Sequence, residues 1–224
     1  MGTHDRIIVA FYAPYHGAGK TTAAGILDGI IGASDTHRPA YHARDAIAFT
    51  TIRSFAGPIR SWTAELMMLL GPRSAVSSER QRDKDAPVPE LGGATERDIM
   101  IALGNAVRDV HPSIWADVMW RRFQSSPRLD FIIDDLRFPH EWGMLKSEGA
   151  KLVRVTVPGR PIIEAESEAL LEDREFDYEL VNTMDGLAKL TDSLERMAAS
   201  FWPDRLRLAG RSIRSDPKRS LSRS

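Results

Sequence analysis

Cysteine is absent from the 224-residue chain. Disulfide scaffolds, thiolate zinc sites, iron-sulfur clusters and thiol nucleophiles are thereby excluded, and the composition suits a reducing compartment. Long apolar runs are missing as well. None approaches the roughly 20 residues that a membrane span requires, and Met1 to Arg6 lacks the basic-then-apolar pattern of a signal peptide, so the expectation is a cytoplasmic protein without a membrane partner. The six histidines show no metal-ligand spacing, and no zinc is expected. What the chain does hold, 42% hydrophobic and 27% charged residues, is ordinary for a globular domain that buries its core unaided.

The formal net charge of -1 hides an uneven distribution. From Pro203 to Ser224 seven basic residues, among them Arg205, Arg207, Arg211 and Arg214, stand against Asp204 and Asp216, a net +5 that leaves -6 for the rest. Rich in serine and arginine and poor in apolar residues, residues 203–224 cannot offset their ordering entropy by burial. A flexible, solvated tail is expected. A grip on nucleic acid or another acidic partner is the alternative.

Along the body, Ile7 to Phe11 is a short, continuous and largely β-branched run, as in a strand covered on both faces. The glycine-bearing stretch Ala13 to Thr22 follows, then Ala23, Ile26, Leu27, Ile30 and Ile31 at helical spacing. Further helices are predicted over Pro58 to Leu70, stopped by Gly71 and Pro72, over Glu96 to Val107 behind Thr95, and over Pro112 to Gln124. Phe131 to Ile133 reads as a strand ending in Asp134 and Asp135. A helix from Pro139 to Ser147, a strand from Leu152 to Val157, a short strand at Leu180 and Val181, and a closing helix through Leu187, Leu190, Leu194, Met197 and Phe201 complete the order. Arg73 to Ala94, charged and without periodicity, reads as a mobile surface excursion. Alternating strands and helices predict an α/β sandwich with a mainly parallel sheet, one domain over residues 1–202. Trp62, Met67, Met68, Met119 and Trp120 are expected in core or half-buried packing rather than in base stacking.

Between the first strand and the first helix, Gly19 Lys20 Thr21 completes the pattern G-x-x-x-x-G-K-[ST], with Pro14 at its first glycine position. In that setting backbone N–H groups and the helix N-terminus cradle phosphate. Gly17 and Gly19 permit close approach, Lys20 bridges the β- and γ-phosphates of ATP, and the Thr21 hydroxyl ligates Mg²⁺. His16, Gly17, Ala18, Gly19, Lys20, Thr21 and Thr22 are therefore the candidate ATP site, with His16 supplying shape or a hydrogen bond rather than proton transfer. Asp134 and Asp135, at the carboxyl end of a buried strand, can organise the magnesium hydration shell, one of the two capping the following turn instead. Arg137 either clamps a phosphate or pairs with a neighbouring acid.

Several separated blocks resemble the deoxynucleoside monophosphate kinases of tailed bacteriophages: Phe55 to Arg60, Arg97 to Gly104 with Asn105 and Arg108, Trp115, Asp135 to Glu141, and Ser167 Glu168 with Asp177, Tyr178 and Asn182. The most specific is Asp-x-Arg-Phe-Pro-x-Glu after a buried strand. The resemblance implies a P-loop kinase three-layer sandwich with a helical acceptor-binding region over residues 55–125 and a lid over residues 158–176. It implies transfer of the ATP γ-phosphoryl group to a deoxynucleoside 5'-monophosphate with Mg²⁺, in DNA precursor synthesis and in the cytoplasm of a host cell if the chain is phage-encoded. Arg60, Arg97, Arg108 and Arg137 are then the acceptor-phosphate residues, and Asn105, Trp115, Asp135 and Glu141 shape the acceptor pocket. Lys20, Arg137 and Arg160 act on the transferring group, while Thr21 and Asp135 hold the metal. Such transfer depends on positioning and charge neutralisation, so no protein base is required. The family commonly has glycine at Pro14, aspartate at Thr21, lysine at Arg60, and a histidine near Ser167 that this chain lacks.

Two other readings compete. A phosphomevalonate kinase-like enzyme shares a Gly-Pro-Leu-Lys-like block and a late Ser-Glu block. A P-loop ATPase gripping DNA with its basic tail would use the same loop. Base preference, tolerance of ribose and homodimer formation stay open at this level.

Overall fold

A computed structural model describes residues 6–34, 50–70, 85–127, 129–160, 170–203 and 206. Strand β1, Ile8–Tyr12, is buried at every position. It pairs in parallel with β3, Asp130–Ile133, on one side and with β4, Lys151–Thr156, on the other. Beyond them lie β2, Thr50–Arg53, against β3, and β5, Tyr178–Val181, against β4, all parallel, giving the order β2-β3-β1-β4-β5.

Side chains alternate across this sheet, as the strand period of two requires. Val9, Phe11, Ile132, Val153, Val155 and Leu180 fall in one core cluster with Ala23 and Leu27 of α1, Lys20–Ser34, and Leu190 and Leu194 of α6, Leu187–Phe201. Ile8, Ala10, Tyr12, Phe131, Ile133 and Leu152 fall in the other. That second core takes Ile59 from α2, Gly57–Leu69, Met119 and Phe123 from α4, Ile114–Ser125, and Leu145 from α5, Pro139–Ser147. Between α2 and α4 lies α3, Glu96–Val110, opened by Thr95: its hydroxyl accepts from Asp98 N while the Asp98 carboxylate accepts from Thr95 N, closing two orphan donors at once.

The expected helices and strands agree with these elements to within a few residues, and the sheet is wholly parallel rather than mainly so. Four findings correct the expectations. Thr50–Arg53 is a strand that the sequence reading omitted. In the supposed excursion before Ala94, Pro89–Leu91 forms a 3-10 turn and Pro87 bridges Thr95, ordering residues 85–94 as the entrance to α3; residues 71–84 lie outside the described set. Trp62, Met68 and Trp120 are exposed, whereas Met67 and Met119 are core residues as expected. Finally, Leu206 is buried in the α1/α6 core and its N–H donates to Trp202 O, so the domain continues past residue 202; the tail from 207 lies outside the described set. No helix among the described residues is long and apolar enough to cross a membrane.

Leu206 thus gives a direct test of the domain edge. Leu206→Ala, or truncation after Trp202, should lower unfolding free energy by about 2 kcal/mol in urea titrations, the value for removing a buried leucine side chain at the periphery of a core. Truncation after Leu208 should leave it unchanged.

Candidate active site

In an all-parallel sheet every strand delivers its carboxyl end to the same edge, and here the chain turns away from β1 in opposite directions toward β3 and β4, which opens a crevice there. The loop leaving β1 fills it. Gly17 and Gly19 both adopt left-handed φ values, +70° and +90°, and α1 begins at Lys20 immediately after. Space is as restrictive as conformation. A Cβ on Gly19 would lie 2.6 Å from Asn182 Nδ2, and one on Gly17 would lie 3.3 Å from Arg160 Nη1.

Both of those neighbours come from other strand ends. Asn182, just past β5 and buried, donates from Nδ2 to Ala18 O at 2.9 Å. Arg160, past β4, donates from Nη1 to His16 O at 2.8 Å and lies 5.6 Å from the Tyr15 ring. Tyr15 in turn accepts from Val157 N through its hydroxyl, pinning the loop to the end of β4. Pro14, at the first glycine position of the loop pattern, is buried in this arrangement.

The two acids after β3 divide. Asp134 faces α1: its Oδ2 accepts from Thr21 Oγ1 at 3.0 Å, while its Oδ1 is buried without a hydrogen-bond partner. Burial, reinforced by the charge of Asp135, raises its pKa against the Thr21 hydrogen bond. Asp135 faces α2. It accepts from the Ser54 hydroxyl, from Phe55 N at 2.8 Å and from Ala56 N at 3.0 Å, with Arg60 Nη2 at 4.0 Å. Asp135 therefore anchors the entrance to α2, and the carboxylate beside Thr21 is Asp134. The expected pair of Thr21 with Asp135 is not what the backbone brings together. An orphaned carboxylate oxygen next to a hydroxyl at the phosphate loop is a hard-oxygen pair of the kind that binds Mg²⁺ alongside substrate phosphates.

A cavity of about 500 Å³ adjoins the loop at His16. Arg60, Arg97, Asn105, Arg108, Trp115, Asp135, Arg137 and Glu141 all line it, so the structure assembles every residue of the expected acceptor set. Two of its guanidiniums are held by partners at the cavity that a ligand can displace. Arg97 makes a two-pronged contact with the exposed Asp85. Arg108 donates to Asn105 Oδ1 at 2.7 Å and stacks 4.0 Å over the Phe138 ring, its Nε buried without a partner. Trp115 is buried, donates to Gly104 O at 3.4 Å, and meets the exposed Trp62 edge-on at 5.8 Å. Gly104 packs closely here: a Cβ on it would lie 3.1 Å from Ile59 Cδ1, which would have to give by a few tenths of an ångström.

Glu141 is, with Asp135, a buried acid of this cavity. Its carboxylate accepts from Arg137 N at 2.9 Å and Phe138 N at 3.0 Å, capping α5 and fixing the backbone that carries Arg137. Burial, with the charge of Asp135 second, pushes its pKa up to about 8 against those hydrogen bonds.

In the expected lid, residues 161–169, with Ser167 and Glu168, lie outside the described set. On its near side only Arg160 reaches the loop; Arg174 lies 5.3 Å from the Trp142 ring instead. The far side packs on the sheet, with Leu171 buried and Phe176 stacked 5.1 Å from Tyr12. Lys20 sits at the N-terminus of α1, and Thr22 is exposed beside it. Sequence reasoning placed Asn182 only within the resembling blocks and gave it no role, and it gave the metal to Asp135 where Asp134 is the acid beside Thr21. The signal for both was available: Asp134 continues the alternation of Ile132, and Asn182 that of Leu180, onto the α1 face.

No protein-family model and no curated protein sequence matches the chain.

The pKa of Glu141 sets a sign for stability against pH. A carboxyl raised from 4.5 to about 8 on folding is protonated more readily in the folded chain, so its contribution is full below pH 4.5 and is lost as pH rises toward 8. Glu141→Gln, which keeps an oxygen acceptor without the charge, should therefore gain in melting temperature relative to the wild type as pH rises across that window. A constant difference between pH 5 and 8 would count against the raised value.

Proposed function

We propose that this chain is a P-loop phosphotransferase that moves the γ-phosphoryl group of ATP to the phosphate of a deoxynucleoside 5'-monophosphate. The observation that carries the reading is the juxtaposition of two anion sites at one sheet edge: a phosphate loop, and a cavity lined by four arginines that the loop's own His16 borders. A nucleotide hydrolase needs the first alone. A kinase with a phosphorylated acceptor needs both.

In this reading the backbone N–H groups of residues 17 to 22 and Lys20 hold the donor phosphates, with the dipole of α1 behind them. Thr21 and Asp134 would hold Mg²⁺, whose charge offsets that building on the transferring oxygens. Arg60, Arg97, Arg108 and Arg137 neutralise the acceptor phosphate as it approaches the donor, and Trp115, Asn105 and Glu141 bound the rest of the acceptor. Arg160 is within reach of the loop from the β4 side and exchanges its carbonyl partner for phosphate oxygens. Asn182 positions the loop by holding the Ala18 carbonyl. Positioning and charge do the work, and no side chain has to remove a proton.

A panel of monophosphates tests the reading. Purified protein with ATP and Mg²⁺ should convert at least one deoxynucleoside monophosphate to its diphosphate, and not phosphomevalonate; phosphomevalonate as the only acceptor would reassign the enzyme. Lys20→Met should cut turnover by about 10²- to 10³-fold in a folded protein, the effect of losing one transition-state charge contact.

The two aspartates should separate by readout. Asp134→Asn should raise the Mg²⁺ concentration needed for half-maximal rate with little change in melting temperature. Asp135→Asn should instead destabilise the fold by about 1.5 to 3 kcal/mol through weakened charge-assisted hydrogen bonds at residues 54 to 56.

A further inference from the structure

A second cavity, of about 600 Å³, runs beside β2 at the edge of the sheet. Arg53 of β2, Arg60 of α2, and Arg121 and Arg122 of α4 line it, and Asp134 is its one acidic lining residue. Among the described residues no carboxylate pairs with Arg121 or Arg122, and Arg53 contacts only the Ile52 carbonyl, at 3.4 Å. The first turn of α2 opens on the same space: Gly57 lines the cavity, and a Cβ there would lie 3.8 Å from Arg122 Nη1. Arg60 already has Asp135 at 4.0 Å, so Arg53, Arg121 and Arg122 are the charges without a carboxylate among the described residues, and three like charges in one concavity favour an incoming anion. Ser61 and Ser125 also stand at the rim; their hydroxyls donate to Gly57 O and Arg121 O and would have to leave those carbonyls to meet a ligand.

Size and surface narrow the occupant. The volume falls in the range of a small-molecule site. A single-stranded nucleic acid groove stacks successive bases on exposed aromatic rings, and the one aromatic lining residue here, Phe131, is 1% exposed. We propose that this cavity binds a triphosphate chain as a second, effector site beside the phosphate loop, the two bordering on each other at Asp134. Arg60 lines both this cavity and the acceptor cavity. A ligand that draws its guanidinium toward β2 takes a cation from the acceptor phosphate, so occupancy should raise the acceptor KM. That kinetic consequence rests on the kinase reading; binding itself does not.

Calorimetry on the full chain tests it. With the phosphate loop filled by a non-hydrolysable ATP analogue and Mg²⁺, inorganic tripolyphosphate and dTTP are titrated separately into wild-type protein, the Arg121→Glu/Arg122→Glu variant and the milder Arg121→Gln/Arg122→Gln variant. Both arginines lie outside the phosphate loop and the acceptor cavity, so melting temperature and uninhibited turnover should not change. Saturable binding that both variants weaken by about tenfold or more supports the site. Equal binding of the two probes assigns it to the phosphate chain alone, and tighter binding of dTTP assigns it to a nucleotide. Absence of binding with the loop filled, or binding indifferent to both variants, overturns the proposal, as does preferential, variant-sensitive binding of a single-stranded oligonucleotide. If no monophosphate is phosphorylated but the calorimetric result holds, the kinase reading fails and the second site stands.

Discussion

Parallel pairing of β1 on both sides is the constraint from which the rest follows. A strand hydrogen-bonded to two neighbours and covered by helices on both faces has no position for an unsatisfied polar side chain, and Ile7 to Ala13 accordingly contains none that is charged. Polar chemistry must wait for the strand's end. Because all five strands run the same way, those ends share one edge, and residues distant in sequence meet there: Ser54 after β2, Asp134 and Asp135 after β3, Arg160 after β4 and Asn182 after β5. The loop after β1 is gripped from two of them, by Asn182 on Ala18 and by Arg160 on His16. Its glycines are required by their backbone angles, and Gly19 also by the close approach of Asn182.

Strand alternation, continued past the end of β3, settles what two adjacent aspartates do. Ile132 and Asp134 face α1, whose first turn carries Thr21; Ile133 and Asp135 lie toward α2, whose entrance carries Ser54, Phe55 and Ala56. A shift of one residue would exchange the roles. Register in β3 is therefore also the specification of the site, and it is fixed by burial: Phe131 and Ile132 belong to different cores and cannot change places without exposing both.

Much of this was legible in the sequence, for identifiable reasons. Long amphipathic helices and the apolar strands β1, β3 and β4 announce themselves by period and burial, and the phosphate loop by three consecutive residues in the right setting. β2 did not, because Thr50–Arg53 is short, lies at the sheet edge and is buried at only one position, so its pattern is that of a polar loop. Trp62, Met68 and Trp120 were misjudged since residue type states a preference for burial and not a partner; Trp62 stays exposed while its ring edge packs on buried Trp115. That the residues of the proposed acceptor set belong together was legible through the resembling blocks, and they line one cavity, but the contacts that organise them were not. Asp85 opposite Arg97, and Phe138 under Arg108, are encounters between segments that no local pattern encodes.

The division of labour among the charges explains how a cavity can keep its arginines available. In a cavity where buried acids neutralised the guanidiniums, a phosphate would have to displace strong, desolvated ion pairs. Here the buried acids are committed elsewhere: Asp135 to Phe55 N and Ala56 N, Glu141 to Arg137 N and Phe138 N. Backbone amides, whose positions the sheet and helices already fix, satisfy the carboxylates. Arg60 is left at 4.0 Å from the nearest carboxylate oxygen and Arg108 on a neutral amide and an aromatic face. In the proposed kinase an incoming dianion would exchange weak partners for charge-assisted ones, and the same capping bond that occupies Glu141 holds the backbone of Arg137 at the cavity wall.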